Sequence, residues 1–176
     1  MQIPSLRFFL FSLLACASAV PAMAELAPIT AAPGIVLEKV GIYCKLETEG
    51  REAAPETDLG YIQVLVATPE FAFDQREVPA RLGISFGVLA TSDRDIAQAR
   101  IEVRRPGTSK PDIWYSDFFA DTPSLRGFSF DFASELTPGI WTFSAHDGDR
   151  QLYSVEFEVV PGSDLPGISS DCNLMS

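Results

Sequence analysis

The stretch 139–159 reads Gly139-Ile140-Trp141-Thr142-Phe143-Ser144-Ala145-His146-Asp147-Gly148-Asp149-Arg150-Gln151-Leu152-Tyr153-Ser154-Val155-Glu156-Phe157-Glu158-Val159. Trp141, Phe143 and Ala145 alternate with Thr142 and Ser144, and Val155, Phe157 and Val159 alternate with Glu156 and Glu158. A period of two places one set against a core and the other in water, which is the signature of paired half-buried strands. If both apolar sets face inward, opposed residues are both odd-numbered and the connection between them has an odd count. The reading therefore expects a three- or five-residue loop rather than a two-residue Asp147-Gly148 turn, with His146 at or beside its exposed tip.

The same period runs upstream. Ile62, Val64 and Val66 share one parity, as do Ile84, Phe86 and Val88, then Ile101 and Val103, then Phe128, Phe130 and Phe132. Turn formers separate these runs: Thr91-Ser92-Asp93, Pro106-Gly107, Pro123-Ser124 and Pro138-Gly139. With 40–44 and 113–119 the count comes to about eight short strands, and no segment carries a helical stripe. The expected fold is all-β: an immunoglobulin-like antiparallel β-sandwich over 39–160. Residues 25–38, rich in Ala and Pro, read as an extended lead-in, 46–59 as an acidic surface loop, and 161–176 as an aperiodic tail.

The chain has 176 residues, 47% hydrophobic and 21% charged, which suits one packed domain. Its formal charge of −11 argues against nucleic acid and anionic membrane surfaces as partners. Residues 1–24 read as a signal peptide: Arg7, an uncharged run over 8–20, then Ala22-Met23-Ala24, with cleavage after Ala24. Removal would take away Arg7 and no acidic residue. No later stretch is long and apolar enough to span a membrane. The expected location is periplasmic or secreted; the alternative is a lipid anchor through Cys16, since Leu13-Leu14-Ala15-Cys16 loosely matches a lipobox. In that compartment the remaining cysteines, Cys44 and Cys172, are expected to form a disulfide that ties the tail to the first strand.

Two sets of motifs carry a resemblance. Val78-Pro79-Ala80-Arg81-Leu82-Gly83 with Phe86-Gly87, and Glu135-Leu136, Pro138-Gly139, Trp141-Thr142-Phe143, Gly148-Asp149 and Phe157-Glu158-Val159, are similar to a bacterial family of exported domains of unknown function. The resemblance covers about residues 78–160. It implies a β-rich exported domain with no assigned activity and no catalytic residues to carry over.

Several motifs imitate chemistry. Gly83-Ile84-Ser85-Phe86-Gly87 fits a nucleophile pattern, and Asp117, Asp121 and Asp131 precede His146 in the chain order of a hydrolase triad. That motif needs a strained strand-to-helix turn, whereas Ser85 falls mid-strand and no helix follows, so no catalytic residue is expected. Asp147-Gly148-Asp149 and Asp93-Arg94-Asp95 lack the further carboxylates of a calcium loop, and a disulfide would consume the thiols a zinc site needs, so neither metal nor cofactor is expected. The segment 113–119 is apolar on both faces. It reads as a central strand covered on both sides, or else as an exposed binding patch of Trp114, Tyr115 and Phe118. The functional expectation is a non-enzymatic module of the cell envelope that binds a protein or other envelope ligand; the alternative is a serine hydrolase or carbohydrate-active enzyme.

Overall fold

A computed structural model describes residues 25–44, 47–165, 167, 168 and 172. The proposed signal peptide, its Ala24 cleavage site and Cys16 lie outside them. Among the described residues the strands are β1 (Thr30–Ala31), β2 (Ile35–Tyr43), β3 (Thr48–Ala53), β4 (Tyr61–Leu65), β5 (Glu77–Ala80), β6 (Ser85–Ser92), β7 (Ile96–Arg104), β8 (Asp112–Phe118), β9 (Ser124–Ser129), β10 (Gly139–Asp147) and β11 (Arg150–Pro161). One sheet runs β1-β11-β10-β7-β8, with β5 added in parallel to the far half of β11; the second runs β2-β6-β9; and β3-β4 form a separate hairpin. Sheet on sheet gives the expected immunoglobulin-like sandwich.

The inward parities close the core. Phe86 on β6 meets Phe130, Trp141, Phe143 and Phe157 at ring-centroid distances of 5.1–5.7 Å, so one aromatic from the narrow sheet reaches across to both strands of the closing hairpin. Trp141 satisfies its indole N–H on Thr137 O at 2.9 Å, which lets the largest side chain be fully buried. The disulfide Cys44–Cys172 is present and spans 128 residues of sequence. With Ile168 also buried, it holds the tail against the domain.

Four expectations are corrected. In the closing hairpin, Trp141 faces Phe157 and Phe143 faces Val155 as expected, but a β-bulge between Ala145 and His146 shifts the register to His146–Gln151 and Asp147–Arg150. The parity problem is thus solved by the extra residue Leu152, and the turn is the two-residue Gly148-Asp149, with Gly148 at φ 58. The bulge buries Leu152 and Tyr153 consecutively. The strand 112–118 is an edge strand, not a central one. The lead-in holds β1 and the first half of β2, because Ile35 pairs with Ser92. Finally, the acidic loop contains β3, whose residues are all exposed and therefore carry no apolar period.

Candidate functional site

The wide sheet has five strands in line and the narrow one three, so the inner side of β8 is left partly uncovered. The β3–β4 hairpin leans over this flank and encloses a cleft of about 540 Å³. It is lined by all of β4, by 123–129 including all of β9, and by Asp112, Trp114 and Ser116 of β8. A volume of that size lies within the ordinary range for a ligand site, ~300–1,000 Å³.

Arg105 pins the hairpin tip. It follows β7 on the inward parity of Ile101 and Val103, and its side chain is only 7% exposed. Its guanidinium pairs with Asp58 of the tip and lies 3.1 Å from Asp112 Oδ2, with the Phe128 and Trp141 rings each 5.8 Å away. The Asp58 N–H donates to Asp112 Oδ1 at 2.7 Å, and the Ile113 N–H donates to Glu56 O at 3.1 Å. Burial pushes the Asp112 carboxyl above its ordinary pKa, opposed by the Asp58 N–H and the Arg105 charge. Its Oδ2 atom is close to Arg105 but outside hydrogen-bond geometry.

The floor holds two further buried charges. Glu135, in a short 3-10 turn (Ala133–Glu135), accepts the N–H groups of Asp131 and Phe132 at 2.7 and 2.8 Å, and burial raises its pKa against those bonds. Arg126 of β9 donates to Ser124 Oγ, Leu125 O and Asp117 O at 2.6–2.8 Å and sits 4.7 Å over the Phe118 ring, while its Nε has no hydrogen-bond partner. Gln63 of β4 reaches Asp131 at 2.6 Å. The Tyr43 hydroxyl lies over Gly127, where a Cβ would overlap it. Burial raises the pKa of that phenol.

Most of the sequence-read site residues fall elsewhere. The Ser85 hydroxyl is buried and bonded to Ser129 Oγ at 2.7 Å, whereas His146 lies in the other sheet, half-buried and 3.1 Å from Ser144 Oγ. Of the three aspartates, Asp117 accepts the Gln98 N–H, Asp131 accepts Gln63, and no bond among the described residues joins any of them to His146. The patch of Trp114, Tyr115 and Phe118 does not form: β8 alternates, so Trp114 is 9% exposed and Phe118 fully buried, and only Tyr115 faces solvent. Asp147 is paired with Arg94 at 2.8 Å. Among the described residues no group of His, Cys, Asp and Glu is placed to hold a metal ion, and no helix is long and apolar enough to cross a membrane. Arg105, Asp112 and Arg126 were not singled out by the sequence reading, and Glu135 only as part of the motif that carries the family resemblance. The available signal was a charge on an inward parity: Arg105 after Ile101 and Val103, and Arg126 before Phe128 and Phe130.

The family model for a domain of unknown function, DUF3859, matches residues 33–159. The chain belongs to this family. The match takes in the narrow sheet, the hairpin that roofs the cleft and all of the wide sheet but β1 and the end of β11, which makes the cleft part of the domain rather than an addition to it. No curated protein matches the chain. Among solved structures, an immunoglobulin-like protein from Pseudomonas aeruginosa (PA1606) is similar, with 17% identity over 76% of this chain and 98% of that one and a TM-score of 0.47.

Proposed function

We propose that this DUF3859 chain is an exported, non-catalytic binding module of the cell envelope, periplasmic or secreted, whose ligand seats in the cleft beneath the β3–β4 hairpin. The observation that carries the reading is how the cleft's charged groups are engaged. Arg105 is held by Asp58 and Asp112, Glu135 by two main-chain N–H groups, Arg126 by three oxygens, and Asp131 by Gln63. Such groups shape a fixed surface, whereas proton transfer needs a group free to exchange its partner in the reaction. The raised pKa values of Asp112 and Glu135 are the feature a carbohydrate-active enzyme would also show, but burial under structural bonds accounts for both. The disulfide and the acidic surface fit an oxidising, extracytoplasmic setting.

The test is site-specific photocrosslinking in the producing cell. A benzophenone side chain replaces Leu59, which lines the cleft and is 39% exposed, or Tyr115, which is exposed outside it. The expected result is a discrete adduct in the envelope fraction from Leu59 and none from Tyr115. Cytosolic retention of the chain, or an esterase or glycosidase turnover abolished by Ser85→Ala or Glu135→Gln in a folded protein, overturns the reading.

A further inference from the structure

We infer that the cleft takes an extended, cationic segment of a partner polypeptide, added as a strand between β4 and β9; this rests on the binding-module reading above and names the ligand class of that site. The first observation is that β4 and β9 border the cleft along their whole length, with residues of both parities.

The hydrogen-bond ladders say which main-chain groups those edges offer. Ala54 N–H bonds to Gly60 O and Val66 N–H to Glu47 O, so Ile62 and Val64 bond toward β3 while Tyr61, Gln63 and Leu65 direct their N–H and C=O away from it. Phe130 N–H bonds to Ile84 O, so on β9 the groups of Leu125, Gly127 and Ser129 point away from β6. Leu125 O is taken by Arg126 and Tyr61 O by Thr57. The main-chain groups of Gln63, Leu65, Gly127 and Ser129 have no partner among the described residues. Alternating donors and acceptors on two edges that border one cleft are matched by an extended polypeptide, which carries the same alternation on both of its own edges.

The other edges of this protein are more heavily defended than these two. β1 is two residues long, and β5 contains Pro79. β2 has Glu38 and Lys39 at a register break, and the Ile42 main chain is covered by Phe73. β3 carries Glu49, Arg51 and Glu52, and β8 carries Asp112 and Asp117 with Ile113 already bonded to Glu56. Those are the devices that keep sheet edges from pairing. β4, Tyr61-Ile62-Gln63-Val64-Leu65, has no charge or proline, and the bulge in its ladder is the extra residue Glu49 on β3; the one charge on β9, Arg126, is buried and bonds back to Leu125 O. A lightly defended edge that is recessed in a cleft is reachable by a single strand but not by another sheet.

Size and charge define the occupant. A strand residue sandwiched in a sheet fills ~160 Å³, from a rise of ~3.3 Å, a strand spacing of ~4.8 Å and a layer depth of ~10 Å. About 540 Å³ therefore holds roughly three to four residues. The lining carries Glu52, Asp58, Asp112, Asp131 and Glu135 against Arg105 and Arg126, within a chain of net charge −11, so the matching segment is positively charged.

The probe is an N-acetylated, C-amidated hexapeptide alternating lysine and valine, titrated into the mature, disulfide-intact protein. The expected result is saturable binding in which the Gln63, Leu65, Gly127 and Ser129 amides exchange with deuterium roughly tenfold more slowly at saturation. N-methylation of alternate peptide nitrogens should weaken binding roughly tenfold or more. Glutamate in place of lysine should abolish it. Gln63→Pro should also abolish it while sparing the hairpin, because the Gln63 N–H faces away from β3. If that variant unfolds, the N-methyl peptide still decides, since it leaves the protein untouched. Absence of binding, insensitivity to N-methylation, protection elsewhere, or self-association of the chain through these edges overturns strand addition. Under any of those outcomes a persisting Leu59 crosslink leaves the binding-module reading standing, and its loss removes both.

Discussion

Replacing Arg105 by Met tests how the hairpin is held over the cleft. The guanidinium sits between two carboxylates of very different exposure: the Asp112 side chain is 7% exposed and that of Asp58 is 70% exposed. The exposed partner contributes little when the pair is broken, about 0–1 kcal/mol. The buried one is left with the Asp58 N–H as its hydrogen bond and no countercharge, and stranding a buried charge costs about 3–5 kcal/mol. With a urea dependence of ~2 kcal/mol per molar, the unfolding midpoint should fall by about 1.5–2.5 M at pH 7.5, read by far-UV circular dichroism and by tryptophan fluorescence.

Two features separate this account from simple loss of packing. Arg105 holds the Asp112 pKa down, so its removal lets that carboxyl take a proton more readily, and the deficit of Arg105→Met should shrink between pH 7.5 and pH 5. Adding Asp112→Asn removes the stranded charge and keeps an acceptor for the Asp58 N–H, so the double variant should recover about 2 kcal/mol relative to Arg105→Met alone. A double variant no more stable than the single one, together with a deficit independent of pH, would refute the argument and reduce Arg105 to a space-filling role.

Three further outcomes are expected. Replacing Cys44 and Cys172 by Ser, which opens a 128-residue span, should cost about 5 kcal/mol on the chain-entropy model; a urea midpoint unmoved by the double substitution would show that the tail is held by its packing instead. The raised pKa values of Asp112 and Glu135 mean that the native state takes up protons before the unfolded one, so their contribution falls as pH rises through the interval above the ordinary values of 3.8 and 4.5. Glu135→Gln should accordingly flatten stability against pH, and an unchanged slope in urea titrations from pH 4 to 8 would contradict the assignment. Gly127→Ala should destabilise by about 1–3 kcal/mol by driving a methyl into the Tyr43 hydroxyl, and adding Tyr43→Phe should return part of the loss, whereas strict additivity in thermal denaturation would show that the two do not touch.

The sequence was most legible where apolar alternation is strong. Trp141–Phe157 and Phe143–Val155 pair as the period of two requires, and Phe86 meets them from the other sheet. It was least legible where the period is absent or broken. β1 is too short to show one, β5 contains a proline, and β3 is exposed at every position. The odd-loop argument for the closing hairpin held only for an unbroken ladder, and Leu152 breaks it. The segment 113–119 misled because five of its seven residues are apolar or aromatic and fall on both parities, while the alternation of β8 separates buried Trp114 and Phe118 from exposed Tyr115.

The charges of the cleft follow from the same geometry. Arg105, Asp112 and Arg126 occupy positions whose parity belongs to the core, where an unpaired charge would be very costly. They are tolerable because three strands cannot cover five, so the flank they face is not closed by a second apolar layer. The hairpin closes it with a polar tip at Asp58, which satisfies Arg105, while the body of β4 stands off from β9. The mismatch in sheet width thus explains three things together: inward charges beside an aromatic core, a hairpin outside both sheets, and two recessed strand edges. A variant that drew β4 onto β9 would bury those edges and remove the cleft, without altering a single aromatic residue of the core.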